Sequence, residues 1–574
     1  MARPPPCCLR RRALDAPHRP TAVIFPTVRF AIFFSIVLPL SWLLMRRRGA
    51  WRALMLVASY IFYGFAGWWY MALLGASTVA NQGFALAIDR SKRGGTKRAW
   101  LVVAVAANLG ALAYYKYTNL LLSSANNLAA DLGWHWKLPL ANIALPAAIS
   151  FFTFQALSYV IDTFRGKIRP VSFGDFAVYL SFFPHLLAGP IVRAAEFLPQ
   201  LKTRRDPRKV DSGLAFWLIA GGLFKKLVIS TYVAKAIVDP VFKAPTQHLA
   251  IDTVLGVYGF AVQIYMDFSA YTDIAIGLAM LLGFRFPQNF DVPYRAASLQ
   301  EFWRRWHMTL SRWLRDYLYI PLGGNRRKRS RAYFNLMATM VLGGLWHGAS
   351  WMMLIWGTIH GVGLAVERFF KDLAARRRRQ RDERDQRRAR AIASLTVAVP
   401  AGDSGGGTAR VLTGDSAGVL VVDDPDATPA SATGGGVGPP GPPAAPPSVE
   451  RARRRPLTWI STFVTFQVVC VAWVFFRVGL PGEDGTLRDA IQVLSRLGHW
   501  GSAIDFNPVL VAVIFGSLAL QFWPASWTGR VRAWFSHLHW AAQGVGLALW
   551  ILGTALLFHK ITPSGVAPFI YFKF

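Results

Sequence analysis

Cysteine is nearly absent, at 3 in 574 residues, which excludes a disulfide-stapled secreted domain. Acidic residues are scarce too: 30 Asp and Glu stand against 64 Lys and Arg, and charged residues of both signs make up only 16% of the chain. A soluble domain carries about 25%. There is no Gly-rich phosphate loop and no Cys or His pair at metal-ligand spacing, so an energised pump is disfavoured and no metal site is expected. What is abundant is apolar bulk: 53% hydrophobic residues, including 40 Phe and 22 Trp. That rules out a disordered chain. It is also too apolar for a nucleic-acid binder, despite a net charge of +34. Apolar runs separated by basic loops are the pattern of a polytopic membrane protein.

Apolar runs occur at Phe30–Met45, Trp51–Ile88, Ala99–Leu122, Ile143–Thr163, Gly213–Val238, Ala250–Phe284, Tyr333–Phe370, Leu457–Phe476, Pro508–Trp523 and Trp540–Phe558. Trp51–Ile88 and Tyr333–Phe370 each have room for two crossings. At about 20 residues per crossing they predict an all-α protein with about eleven or twelve spans. The basic stretches Arg46–Arg52, Arg90–Arg98, Lys202–Lys209, Arg285–Arg331 and Lys371–Arg390 are assigned to the cytoplasm. Asp131–Asn142 and Gly482–Asp505, poor in cations, are assigned outside. Phe173–Val192 is apolar but holds Pro184, Gly189 and Pro190 between two basic flanks. It reads as a re-entrant element, a kind of backbone that survives at membrane depth only inside protein or along a wet cavity.

Four regions follow. Residues 1–22, with Pro4 to Pro6 and Arg10 to Arg12, read as a non-native or disordered N-terminus ahead of a start near Val23. Residues 23–370 form the first part of a membrane core. Residues 371–456 begin basic and become rich in Gly, Pro and Ala, as a cytoplasmic linker does. Residues 457–574 return to apolar spans.

Polar groups inside apolar runs are costly and often functional. The first cluster places Asp267 and Asp273 mid-span with hydroxyls at Tyr265, Ser269, Tyr271 and Thr272. It reads either as interhelical hydrogen bonding or as the polar wall of a tunnel. The second, Glu301–Tyr317, alternates Phe302, Trp303, Trp306 and Trp313 with Arg304, Arg305, Arg312 and Arg315, as an interfacial amphipathic helix does. Its arginines meet lipid headgroups or a phosphorylated carrier, and its His307 is either functional or a hydrogen-bonded interfacial residue. The third sets His347 deep in an apolar run between glycines. There a neutral imidazole is suited to accept a proton; a packing histidine is the alternative. His360 is secondary.

At these residues the chain resembles the membrane-bound O-acyltransferase superfamily, and within it the bacterial branch of alginate O-acetyltransferase membrane subunits. The resemblance rests on Ile149–Gln155, on "AGPIVR" within Phe182–Arg193, on Gly222–Lys226 and Asp267–Asp273. It continues in "WLRDYLYIPLGGN" within Glu301–Asn325, "GLWHGASW" at Gly344–Trp351 and "APFIYFKF" at Ala567–Phe574. It implies a helical ring around a central tunnel, with His347 as the active-site histidine and His307 as the second functional position. Tyr265, Asp267, Ser269, Asp273, Arg304, Arg305, Asp316 and Trp346 are expected to line or support the tunnel. It further implies an inner-membrane enzyme without a bound cofactor that takes an acyl group, acetyl by this analogy, from a cytoplasmic thioester such as acetyl-CoA. The group would pass across the membrane for O-acetylation of an exopolysaccharide such as alginate. Its expected partners are a periplasmic SGNH-type acetyltransferase, the polysaccharide machinery and membrane lipid. D-alanyl transfer to teichoic acid, a polysaccharide transporter or export channel, and a membrane scaffold are the rival readings.

Overall fold

A computed structural model of the chain describes residues 25–396 and 456–570, apart from 26, 142, 188, 204, 327, 481–484, 502–506 and 562–569. The N-terminal stretch 1–22, most of the linker and the "APFIYFKF" ending, Ile570 excepted, lie outside the described residues. Two compact units are present, Met1–Arg368 with Leu457–Phe574, and Phe369–Pro456. All the chemistry below belongs to the first.

Among the described residues every regular element is helical. The first four helices are α1 (Val28–Leu44), α2 (Arg48–Gly64), α3 (Trp68–Arg90) and α4 (Gly94–Asp131), joined by connections of a few residues. Then come α5 (Ile149–Phe164), the short α6 (Phe173–Ser181) and α7 (Phe183–Leu186), the long rod α8 (Ser212–Lys243) and α9 (Ala250–Leu281). The short α10 (Leu299–Arg305) and α11 (Met308–Leu314) lead to α12 (Arg329–His347) and α13 (Trp351–Thr396). The C-terminal part adds α14 (Pro456–Val478), α15 (Pro508–Ala519) and α16 (Trp540–Ile561).

Six helical stretches among the described residues are long and apolar enough to cross a membrane: α3, α4, α8, α9, and the parts of α14 and α16 at Thr458–Val478 and Ala542–Lys560. A bent pair, Pro508–Phe522 with Ser526–Phe535, raises the number to seven. This count takes only helices of 18 residues or more, and the eleven or twelve crossings expected from the sequence also include shorter apolar helices. For example, α1 and α2 have 17 residues each and α5 has 16. Both long runs read as double do divide, Trp51–Ile88 into α2 and α3, and Tyr333–Phe370 into α12 and α13.

The centre of the unit is α9, with 89% of its apolar window buried against 6% for Ala542–Lys560 of α16. A helix apolar on all faces must be enclosed by other elements. The most intimate partner of α9 is α8, which supplies two ion pairs: Lys226 to Asp267 at 2.5 Å and Lys225 to Asp273 at 2.6 Å. Phe173–Val192 forms α6 and α7, of 9 and 4 residues, with a break at Phe182 and an irregular stretch at Pro190–Val192. Neither helix is long enough to span. Phe176 through Phe183 are buried, so this irregular backbone is enclosed by protein, where its polar groups find partners.

Candidate active site

His347 is the last residue of α12, and the chain leaves it in extended conformation at Gly348. α12 and α13 cross at two glycines. A Cβ on Gly344 would collide with the Met353 carbonyl oxygen, and one on Gly357 would lie 2.5 Å from the Met340 carbonyl oxygen. Only the absence of side chains allows the two backbones this close, and this crossing fixes the end of α12. The His347 ring is 2% exposed. It packs edge-on against Trp356 at 5.1 Å and Phe476 at 5.5 Å between ring centroids. Phe476, together with Trp473 stacked on Trp356, comes from α14. The wall of the site thus needs the C-terminal part of the chain.

His307 lies 6.4 Å from His347, centroid to centroid. The amphipathic helix expected over Glu301–Tyr317 does not form as one piece. It breaks between α10 and α11, where His307 adopts a left-handed backbone with φ 40° and ψ 54°. Such a conformation costs energy for a non-glycine residue and persists only where the surroundings impose it. Here Asn289, fully buried, imposes it. Its Oδ1 accepts from the Thr309 amide at 3.0 Å and the Thr309 hydroxyl at 2.8 Å, and its carbonyl accepts from the Met308 amide at 2.9 Å. His307 Nδ1 lies 3.2 Å from the same Oδ1. An oxygen has only acceptor capacity, so Nδ1 carries the proton and Nε2 bears the lone pair. Thr309 Oγ1 in turn accepts from the Ile191 amide at 3.0 Å, which ties the irregular Pro190–Val192 stretch to the His307 turn. The aromatic face of the expected interfacial helix is buried in protein: Phe302 and Trp306 are 1% exposed and Trp313 6%. Trp313 stacks on Phe154 at 3.7 Å.

Two cavities touch His347, which among the described residues is the one that lines both. The larger, about 190 Å³, is bounded by Leu336, Thr339, Met340, Gly343 and His347 along one face of α12, facing Leu310, Leu314 and Trp356. From Leu336 to His347 is eleven residues, so the cavity follows the helix for roughly 16 Å at 1.5 Å per residue. Its lining also includes Arg315 and Tyr319, in the basic stretch before α12. The smaller, about 10 Å³, has room for a single water-sized group and is lined by Lys116, Ala148, Ser150, Phe151, Trp346 and His347, among others. A narrow apolar groove with a cation along it and an imidazole at another point suits a long, thin substrate whose reactive end stops at His347.

Of the residues singled out from the sequence, His347, His307 and Trp346 come together; the Trp346 ring lies 6.2 Å from that of His307. Asp267 and Asp273 are in the ion pairs to α8, and Asp267 Oδ2 also accepts from the Ile570 amide at 2.8 Å. Neither lines a cavity shared with His347. Tyr265 packs its ring on Phe290, Tyr294 and Trp306, and Ser269 is buried. Arg304 is exposed. Arg305 is held by Asp291 at 2.7 Å and Glu301 at 2.9 Å, which spends its fork on carboxylates. Asp316 sits beside the groove residue Arg315 and bonds Arg193 at 2.7 Å. Burial opposes its charge, yet hydrogen bonds from Arg315 and Arg193 hold the carboxyl below the usual carboxylate range. Asn289 and Lys116 are not singled out by the sequence reading, and Ser150 enters it only within the resembling stretch Ile149–Gln155. Lys116 had a readable signal, a lone lysine within the Ala99–Leu122 run.

Comparison with known proteins bears on this arrangement. A model of "MBOAT, membrane-bound O-acyltransferase family" matches residues 116–397. A protein named "Probable alginate O-acetylase AlgI" from Azotobacter vinelandii is 42% identical over 328 residues, 56% of this chain and 64% of that protein. The "Peptidoglycan O-acetyltransferase" of Helicobacter pylori is 39% identical over 345 residues, 55% of this chain and 64% of its own length. The "Teichoic acid D-alanyltransferase" of Streptococcus thermophilus is 29% identical over 237 residues, 38% of this chain and 55% of that protein. The chain thus spans less than two thirds of the length of the curated relatives it matches.

Proposed function

We propose that this chain, similar through residues 116–397 to the membrane-bound O-acyltransferase family, moves an acyl group, acetyl in this reading, from a cytoplasmic thioester across the membrane for O-acetylation of a polysaccharide. The observation that carries the proposal is that His347 lines two cavities. The donor, acetyl-CoA, threads its pantetheine arm along the apolar face of α12 from the cytoplasmic side, past Arg315. His347 takes the proton of the acceptor hydroxyl as general base. His307, with its Nδ1 proton committed to Asn289, orients the reacting groups. The groove residue Arg315 lies in one of the basic stretches of the chain, which supports a cytoplasmic, anionic donor.

The proposal places the protein in the bacterial inner membrane, with shorter helices and enclosed segments bringing the six or seven long crossings to a total of eleven or twelve. The acyl group goes on to a periplasmic SGNH-type acetyltransferase and the polysaccharide machinery. Alginate and peptidoglycan, the polymers in the names of the two O-acetylating relatives, are the acceptor classes to test first. D-alanyl transfer ranks behind, at 29% identity against 42% and 39%.

The groove is tested by filling it. Gly343 lines it, and a Cβ there meets only the flexible Leu314 Cδ1, at 3.3 Å. Gly343→Leu is expected to raise the KM for acetyl-CoA tenfold or more in purified protein while leaving thermal stability near wild type. An unchanged KM would place the donor elsewhere.

A further inference from the structure

The smaller cavity contains a charge that the family reading leaves unused. Lys116 lies in the middle of α4, 7% exposed, where a cation is expensive to keep. Its ammonium donates to the Trp346 carbonyl oxygen and, at 3.3 Å, to Ser150 Oγ. It also stands 5.9 Å from the centroid of the Trp346 ring. Among the described residues no carboxylate lies within ion-pair distance of it. An ammonium has three donors, and two go to neutral oxygens, so among the described residues no carboxylate balances its charge. His347 lines the same cavity, and the carbonyl that Lys116 holds belongs to the residue immediately before it.

We propose that Lys116 is a catalytic residue of acyl transfer, holding the oxyanion that forms at the thioester carbonyl beside His347. This rests on the acyltransferase reading above. As the acceptor oxygen bonds to the carbonyl carbon, its O–H bond breaks and the proton passes to the His347 imidazole. The carbonyl π pair moves onto oxygen, where the Lys116 ammonium meets the new negative charge. When that pair returns, the C–S bond breaks and the departing thiolate takes the proton from the imidazolium. The products are ester and thiol. A fixed cation in a dry site needs no reorganisation at the moment charge appears, which is where such donors act most strongly. The same ammonium also caps a terminal carbonyl of α12, so it is anchored to the helix that presents the base.

The structural and catalytic roles separate in two variants assayed with acetyl-CoA and a polysaccharide acceptor. Lys116→Gln keeps N–H donors for the Trp346 carbonyl and removes the charge; Lys116→Met removes both. Both are expected to lose ~10²–10³-fold in kcat, with the KM for acetyl-CoA within about twofold. Lys116→Ala supplemented with methylammonium should regain part of kcat. Lys116→Gln at wild-type kcat would overturn the oxyanion role, and so would a defect confined to KM or thermal stability. If Lys116→Met does not accumulate, Lys116→Gln with the amine series decides alone. His347→Gln in the same assay keeps the two proposals apart. If it is inactive while Lys116→Gln is fully active, only the role of Lys116 falls. If it is active, the acyltransferase reading of the site falls first.

Discussion

His347→Ala is expected to lower acyl transfer by ~10²–10⁴-fold in kcat, the usual contribution of a positioned general base, while the protein still inserts and folds. The ring lines two cavities and contacts Trp356 and Phe476. One side of it faces the groove along α12, so the packing penalty is smaller than for a side chain enclosed by close-packed core on every side. Polymer acetyl content in cells carrying the variant should fall to background, with the variant at wild-type abundance in the membrane. Unchanged acetylation would remove His347 from the chemistry. A loss of abundance in parallel with activity would make it a packing histidine, the alternative its sequence context left open.

Asp267→Ala is expected to act on stability instead. Asp267 and Lys226 are each 1% exposed and paired at 2.5 Å. Truncating the acid leaves a buried ammonium facing a lost counter-charge, which typically costs ~3–5 kcal/mol. The Ile570 amide loses its acceptor as well. The double variant Asp267→Leu with Lys226→Met removes both charges and should recover much of the loss, because a buried pair is often replaceable by apolar groups of similar size. Thermal unfolding in detergent reads this directly. If instead Asp267→Ala keeps its Tm and loses activity, the acid is part of a substrate path, and the interhelical role assigned by the α8 contacts is wrong.

The contrast between these two residues shows how far the sequence reaches. Both are polar groups inside apolar runs, and the cost of burying them marks each as significant. Sequence alone does not say whether the partner is a lysine from another helix or a substrate. For Asp267 the partner, Lys226, lies 41 positions away, in a stretch that the sequence marks by resemblance but does not pair with the acid. The helical architecture was legible because continuous apolar runs admit no other spanning form, and the division of Tyr333–Phe370 followed from its length. The break at His307 was not legible. The amphipathic period continues through it, and the left-handed turn is imposed by Asn289, a residue 18 positions earlier whose role appears only when the loop folds back. Burial misled in the same segment: Phe302, Trp306 and Trp313 have the spacing of a lipid-facing stripe, but an aromatic stripe packs equally well on other aromatics, here Phe154, Trp473 and Tyr294.

The most direct test is an experimentally determined structure of the His347→Gln variant with a non-hydrolysable acetyl-CoA analogue. The analogue is expected to run along Leu336, Thr339, Met340 and Gly343, with its carbonyl carbon beside position 347 and its phosphates toward Arg315. An analogue bound outside that groove, or a groove closed by packed side chains around position 347, would contradict the account.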